Sequence, residues 1–154
     1  MNIIISPAKK MNVNNDDLVN EYKPVFMDKT NILYDKLKSL SYDELKKLLA
    51  CNDDIAELNY DRYKYMNLDK NLSPAILTYE GIQYKYMSPD SFSEEEFNYI
   101  KSHLKILSGF YGVLNPFDGV VPYRLEMQAK LKVENSKNLY EFWGDSLYKE
   151  LRKE

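Results

Sequence analysis

Two segments of the chain, Leu40-Ser41-Tyr42-Asp43-Glu44-Leu45 and Phe92-Ser93-Glu94-Glu95-Glu96-Phe97, carry the same helix-start pattern. In each, a serine is placed to cap the helix and a glutamate three residues later closes the capping box. An apolar residue before the cap also faces one in the first turn. These two points fix where helices begin. The first helix runs from Ser41 to about Ala50, where Cys51-Asn52 breaks it, and Asn52 caps a second over about 53–66 with Ile55 and Leu58 inward. Residues 41–66 are therefore expected to form a helix–short turn–helix unit. The second pattern starts a helix over 94–108. Its three leading acids suit the helix dipole, Phe97, Ile100, Leu104 and Leu107 form one stripe, and Gly109 ends it.

Strand signals lie between these helices. Ile3-Ile4-Ile5 is a short β-branched run that reads as a buried strand, and Ser6-Pro7 ends it because proline gives a sheet no N–H. Residues 12–27 are polar and irregular, and Asp28 is expected to cap a helix over 29–39 with Ile32, Leu33 and Leu37 on one face. Ala75–Tyr79 reads as a strand, Glu80-Gly81 as a turn and Ile82–Tyr84 as a returning arm. Val113-Leu114, Val120-Val121 and Tyr123–Met127 are short extended candidates separated by Asn115-Pro116 and Asp118-Gly119 turns. Asp145 caps a last helix carrying Leu147, Tyr148 and Leu151. Irregular alternation of this kind points to an α+β (mixed α/β) fold, a short mixed sheet with flanking helices.

Composition narrows the function classes. The 154 residues include one cysteine and one histidine. A disulfide framework within the chain is thereby excluded, as are the usual zinc ligand sets, and no metal or other cofactor is expected. No apolar run approaches a membrane span, and the three-isoleucine run is too short for a signal peptide, so a cytoplasmic protein without membrane attachment is expected. The net charge of −3 gives no global basic signature. Charge is uneven, however: residues 71–100 hold one lysine against five acids, and residues 101–154 hold nine Lys/Arg against seven acids. Anion binding must come from local placement.

Four segments offer polar chemistry. Ser6-Pro7-Ala8-Lys9-Lys10 places a hydroxyl and two ammonium groups just beyond a strand, where ligands commonly lie in α/β sheets. Ser108-Gly109-Phe110-Tyr111-Gly112 sets two glycines around an aromatic pair, without the Gly-Lys-Ser/Thr of a phosphate loop. In Pro122-Tyr123-Arg124-Leu125-Glu126-Met127, an extended backbone turns Arg124 and Glu126 to one side and Tyr123, Leu125 and Met127 to the other. Arg124 would there present its planar donor fork to an anion, with Glu126 beside it. The strand carrying Arg124 is expected to neighbour the N-terminal strand. In the fourth segment, Phe142-Trp143-Gly144-Asp145, Trp143 reads as core. His103 reads as a boundary residue, and Cys51, beside Asn52, Asp53 and Asp54, as an inert thiol. Ser6, Ser108, Tyr111 and Glu126 complete a candidate pocket with Lys9 and Arg124.

Ile3–Lys9, Leu107–Leu114, Pro122–Met127 and Leu139–Asp145 follow one family's pattern in order and spacing. On them the chain resembles the YaaA family of bacterial peroxide-stress proteins, over its whole length. The resemblance implies the N-terminal part of a single YaaA-like domain, truncated relative to family chains that carry further strands and a Lys/Arg-rich segment. It implies a protein, not assigned as an enzyme, that limits free intracellular iron under peroxide stress. It also implies binding of double-stranded DNA without sequence preference, through a basic cleft and a helix-hairpin-helix element that maps here to 41–66. Lys9, Lys10 and Arg124 are the matched nucleic-acid or anion-binding candidates. The alternative is an enzyme acting on a small anionic or nucleobase-like molecule in a Lys/Arg/Glu-lined pocket. Truncation further implies self-association through an uncovered strand edge.

Overall fold

The computed structural model describes residues 2–13 and 22–153. Residues 14–21 of the irregular stretch expected over 12–27 lie outside them. In chain order the elements are β1 (Ile3–Ile5), β2 (Lys10–Met11), α1 (Met27–Ser39), α2 (Tyr42–Leu49) and α3 (Asp53–Tyr65), then β3 (Ser73–Pro74), α4 (Ala75–Thr78), β4 (Tyr79–Glu80), α5 (Ile82–Met87) and α6 (Glu94–His103). β5 (Leu104–Ser108), β6 (Gly112–Leu114), β7 (Gly119–Val120), α7 (Leu139–Trp143) and α8 (Ser146–Leu151) follow. Helices and small sheets together make the expected α+β class. Two compact units divide the chain: Met1–Val25 with Asn67–Leu107 and Val113–Pro122, and Phe26–Met66 with Ser108–Gly112 and Tyr123–Glu154.

The first unit is built on a three-stranded sheet of order β1-β5-β6. β1 runs parallel to β5, pairing Ile3 with Leu104, Ile4 with Lys105 and Ile5 with Ile106. The expected neighbour of β1 was the Arg124 segment, but that segment belongs to no strand, and β5 takes the place. β5 also corrects the long helix expected over 94–108. The helix ends at His103 because residues 104–108 bury alternate side chains, Leu104, Ile106 and Ser108, in the two-residue period of a strand. Leu104 and Leu107 fit a helical stripe equally well on paper, and pairing with β1 decides between the periods. β1 itself is not the buried strand expected, since Ile4 remains 49% exposed.

Residues 75–84 are also corrected. Ala75–Thr78 is a helical turn, fastened when Thr78 Oγ1 donates to the Pro74 carbonyl at 2.6 Å. Short strands flank it, β3 pairing with β7 and β4 with β2, both antiparallel. Ile82–Met87 is helical rather than a hairpin arm.

The second unit is mainly helical. Ser41 and Glu44 make both bonds of the capping box, as do Ser93 and Glu96 at α6 in the first unit. Asn52 caps α3 by accepting from the Ile55 N–H at 3.0 Å. The helical pair over 41–66 is thus present, with α3 packed against both α2 and α1. Its inner face differs from the expected one. Ala56, Asn59 and Tyr63 are buried, while Leu58 is half exposed. Asp28 lies in the first turn of α1 without capping it, because the helix starts one residue earlier, at Met27. Asp145 likewise makes no cap bond at α8 and pairs instead with Lys149 at 3.1 Å.

The two serines at true caps carry a cost that Asp28 does not. Ser41→Ala should lower stability by about 1 kcal/mol in denaturant melts, and Asp28→Ala by no more than a few tenths.

Candidate functional site

In the second unit, the Ser108–Gly112 loop is held by side chains from four places. Ser108 Oγ accepts from the Tyr111 N–H at 2.9 Å and the Phe110 N–H at 3.2 Å, and bonds Tyr123 Oη at 2.6 Å. Thr30 Oγ1 donates to the Phe110 carbonyl at 2.9 Å, and Trp143 Nε1 donates to the Gly109 carbonyl at 3.0 Å. Two glycines are required here. A Cβ on Gly109 would stand 2.6 Å from the Leu125 carbonyl oxygen, and one on Gly112, whose φ is +81°, would stand 2.8 Å from both Phe26 and Trp143. Phe110 stacks on Tyr123 and meets Tyr111 and Tyr63 at tilted or edge angles. Trp143 is core, as expected.

This aromatic platform carries Arg124. Tyr63 Oη donates to the Arg124 carbonyl at 2.8 Å, and burial pushes the Tyr63 phenol well up, so it remains a donor. Tyr123 and Leu125 are buried while Arg124 and Glu126 are less so, the alternation expected of an extended backbone even without a strand. The Arg124 side chain is 15% exposed, and its Nη2 lies 3.6 Å from Glu126 Oε1. Its Nε is fully buried and has no hydrogen-bond partner among the described residues. An orphaned donor of this kind costs about 1–3 kcal/mol until an acceptor reaches it.

Ser108 and Tyr111 are buried, and the Ser108 hydroxyl is committed to the loop. Ser6, Lys9 and Lys10 belong to the first unit and are exposed. The Ser6 carbonyl accepts from Tyr84 Oη at 2.8 Å, and Lys10 pairs with Glu80 at 3.5 Å.

The turn between α2 and α3 is acidic. Asp53 pairs with Lys46 at 2.8 Å and accepts from Tyr42 Oη at 2.8 Å. These two contacts hold the Asp53 carboxyl below its ordinary range, and the Tyr42 phenol is pushed up to about 12, chiefly by its bond to Asp53. A carboxylate thus stands at the start of α3, and its negative charge disfavours a phosphate there. Cys51 is a half-buried free thiol. Among the described residues, no group of three or more His, Cys, Asp or Glu is placed to hold a metal ion, and no helix is long and apolar enough to cross a membrane.

One group escaped the sequence reading, which took Asp118 only as a turn residue. Asp118 is 2% exposed, and its Oδ2 accepts from the Asn115 N–H at 2.8 Å. Burial pushes its carboxyl up to about 7, against the opposing pulls of that N–H and of Lys105. Lys105 in turn donates to Asn115 Oδ1. The available signal was an Asp three residues after an Asn in the turn Asn115-Pro116-Phe117-Asp118.

Loop, aromatic platform and the Arg124–Glu126 pair together define a largely buried guanidinium on a rigid support, and comparison with known sequences gives the chain's kin. The family model described as "Peroxide stress protein YaaA" matches residues 1–154. The chain is 60% identical over its full length to a UPF0246 protein of Desulfitobacterium hafniense, 53% to one of Pediococcus pentosaceus and 54% to one of Lachnoclostridium phytofermentans. It spans about 60% of the length of these curated relatives, 60–61% in each case. The chain belongs to the YaaA family of peroxide stress proteins.

Two outcomes are expected. Gly109→Ala, whose Cβ meets backbone, should cost about 2 kcal/mol or more in denaturant melts. Asp118 holds its proton to a higher pH folded than unfolded, so its contribution to stability falls as pH rises from about 4 to about 7. Asp118→Asn keeps an acceptor for the Asn115 N–H. It should flatten that part of the stability–pH curve and gain on the order of 2 kcal/mol on the parent at pH 8 relative to pH 4.

Proposed function

We propose that this chain serves in the peroxide-stress response and that its molecular task is to recognise a small anionic or nucleobase-like group at Arg124. The buried Arg124 Nε, which has no acceptor among the described residues, carries this reading. A donor edge beside the Glu126 acceptor suits a planar group offering both an acceptor and an N–H, or an anion taken by the guanidinium alone. The support is rigid, as recognition at this scale requires: the Tyr63 phenol grips the Arg124 backbone, and the Ser108–Tyr123 bond fixes the preceding residue.

For the family protein as a whole, limitation of free intracellular iron and sequence-independent binding of double-stranded DNA remain part of the proposal. Family membership supports them. Within this chain, exposed Lys9 and Lys10 suit duplex contact better than the acidic α2–α3 turn does. Contacts of that kind are spread, electrostatic and steeply dependent on salt.

The test is titration with a nucleoside monophosphate and, separately, with a DNA duplex, at two salt concentrations. Arg124→Ala should weaken nucleotide binding by about tenfold or more, while a Lys9→Ala/Lys10→Ala double variant should weaken only the duplex. Nucleotide binding that ignores Arg124→Ala and falls with the two lysines would overturn the proposal.

A further inference from the structure

Within the first unit, a recess of about 160 Å3 is lined by Tyr22, Lys101, Asn115, Pro116, Phe117 and Asp118. None of these residues belongs to the Arg124 site. Lys101 is exposed at the end of α6, where its Nζ donates to Tyr22 Oη and lies 4.7 Å from the centre of that ring. Tyr22 thus takes one of the three ammonium donors, and among the described residues no carboxylate pairs with Lys101. Tyr22 Oη accepts from Lys101, and among the described residues no acceptor takes its own proton, which can be donated onward. The opposite wall is apolar and fixed: Phe117 is 3% exposed and stacks on Phe97 with ring centres 4.2 Å apart. Its position is further set by the turn, in which the Asp118 N–H donates to the Asn115 carbonyl at 3.1 Å and Asp118 Oδ2 accepts from the Asn115 N–H.

We propose that this recess binds a small organic carboxylate, its oxygens taken by the Lys101 ammonium and the Tyr22 hydroxyl and its short apolar body lying against Pro116 and Phe117. One ammonium and one phenol match a single negative charge, and the volume admits only a few carbon atoms beyond it. A phosphate dianion would leave the Pro116–Phe117 wall facing charge without a partner. Asp118 does not oppose the anion as an ordinary carboxylate would. Its burial, with Lys105 and the Asn115 N–H as the groups facing it, leaves part of the population protonated near neutral pH.

The experiment is a 15N-edited NMR titration of this chain with sodium butyrate, with sodium phosphate in parallel. Saturable shifts are expected at the amides of Lys101, Asn115, Phe117 and Asp118. Lys101→Met should weaken butyrate by about tenfold or more, Tyr22→Phe by a smaller factor, and Lys101→Arg should retain binding. Arg124→Ala should leave these shifts unchanged, which separates this recess from the Arg124 site. Shifts that never saturate, shifts indifferent to Lys101→Met, or phosphate saturating the recess where butyrate does not would each overturn the proposal.

Discussion

The Ser108 hydroxyl is the point on which the second unit turns. It accepts from two consecutive backbone N–H groups and bonds Tyr123, so one buried oxygen closes the 108–112 loop and anchors the segment that follows. Tyr123 is covalently adjacent to Arg124, and Tyr63 holds the Arg124 carbonyl from the other direction. With that loop closed, Gly109 admits the Leu125 backbone and Gly112 admits Trp143 and Phe26. Loss of the hydroxyl would strand two buried N–H groups, a cost larger than that of the bonds themselves. The residue that the sequence offers as part of a candidate pocket is thus the fastening that holds the segment leading into Arg124.

Local chemistry was legible in the sequence and long-range pairing was not. The capping boxes at Ser41 and Ser93 and the Asn52 cap stand where the residue types placed them, because a cap is satisfied within four residues. The end of α6 was not legible. Leu104 fits a helical stripe with Leu107 and a strand period with Ile106, and the deciding partner, β1, lies about a hundred residues earlier in the chain. Ala75–Tyr79 misled for a related reason. Its apolar run reads as a strand, but Thr78 bonds back to Pro74 and closes a helical turn. Arg124 and Glu126 were found by alternation, which survives in an extended segment with no strand partner. Asp118 was missed because nothing local reports that a turn carboxylate will be buried.

Acidic and basic groups are sorted by purpose rather than by net charge. Asp53 lies at the start of α3 and takes both Lys46 and Tyr42, so the lysine nearest that turn is already paired. Arg124 keeps a donor without an acceptor, and Lys101 keeps donors at the mouth of a recess. Charges that could serve a ligand therefore stand on aromatic supports, Tyr63 and Tyr123 for one and Tyr22 with Phe117 for the other. Tyr63, Tyr123 and Tyr22 thereby do more than fill volume, since each phenol makes a hydrogen bond at the end of an apolar body.

The central claim is that the Arg124 Nε–H awaits an acceptor that none of the described residues supplies. The most direct measurement is the Nε–H resonance of Arg124 by 15N-edited NMR, assigned with Arg124→Lys, before and after addition of a nucleoside monophosphate. The account predicts a proton with no scalar coupling to any protein carbonyl or carboxylate in the free protein, and a downfield shift once the nucleotide is bound. A coupling to a protein acceptor already present in the free state, unchanged by the nucleotide, would contradict it.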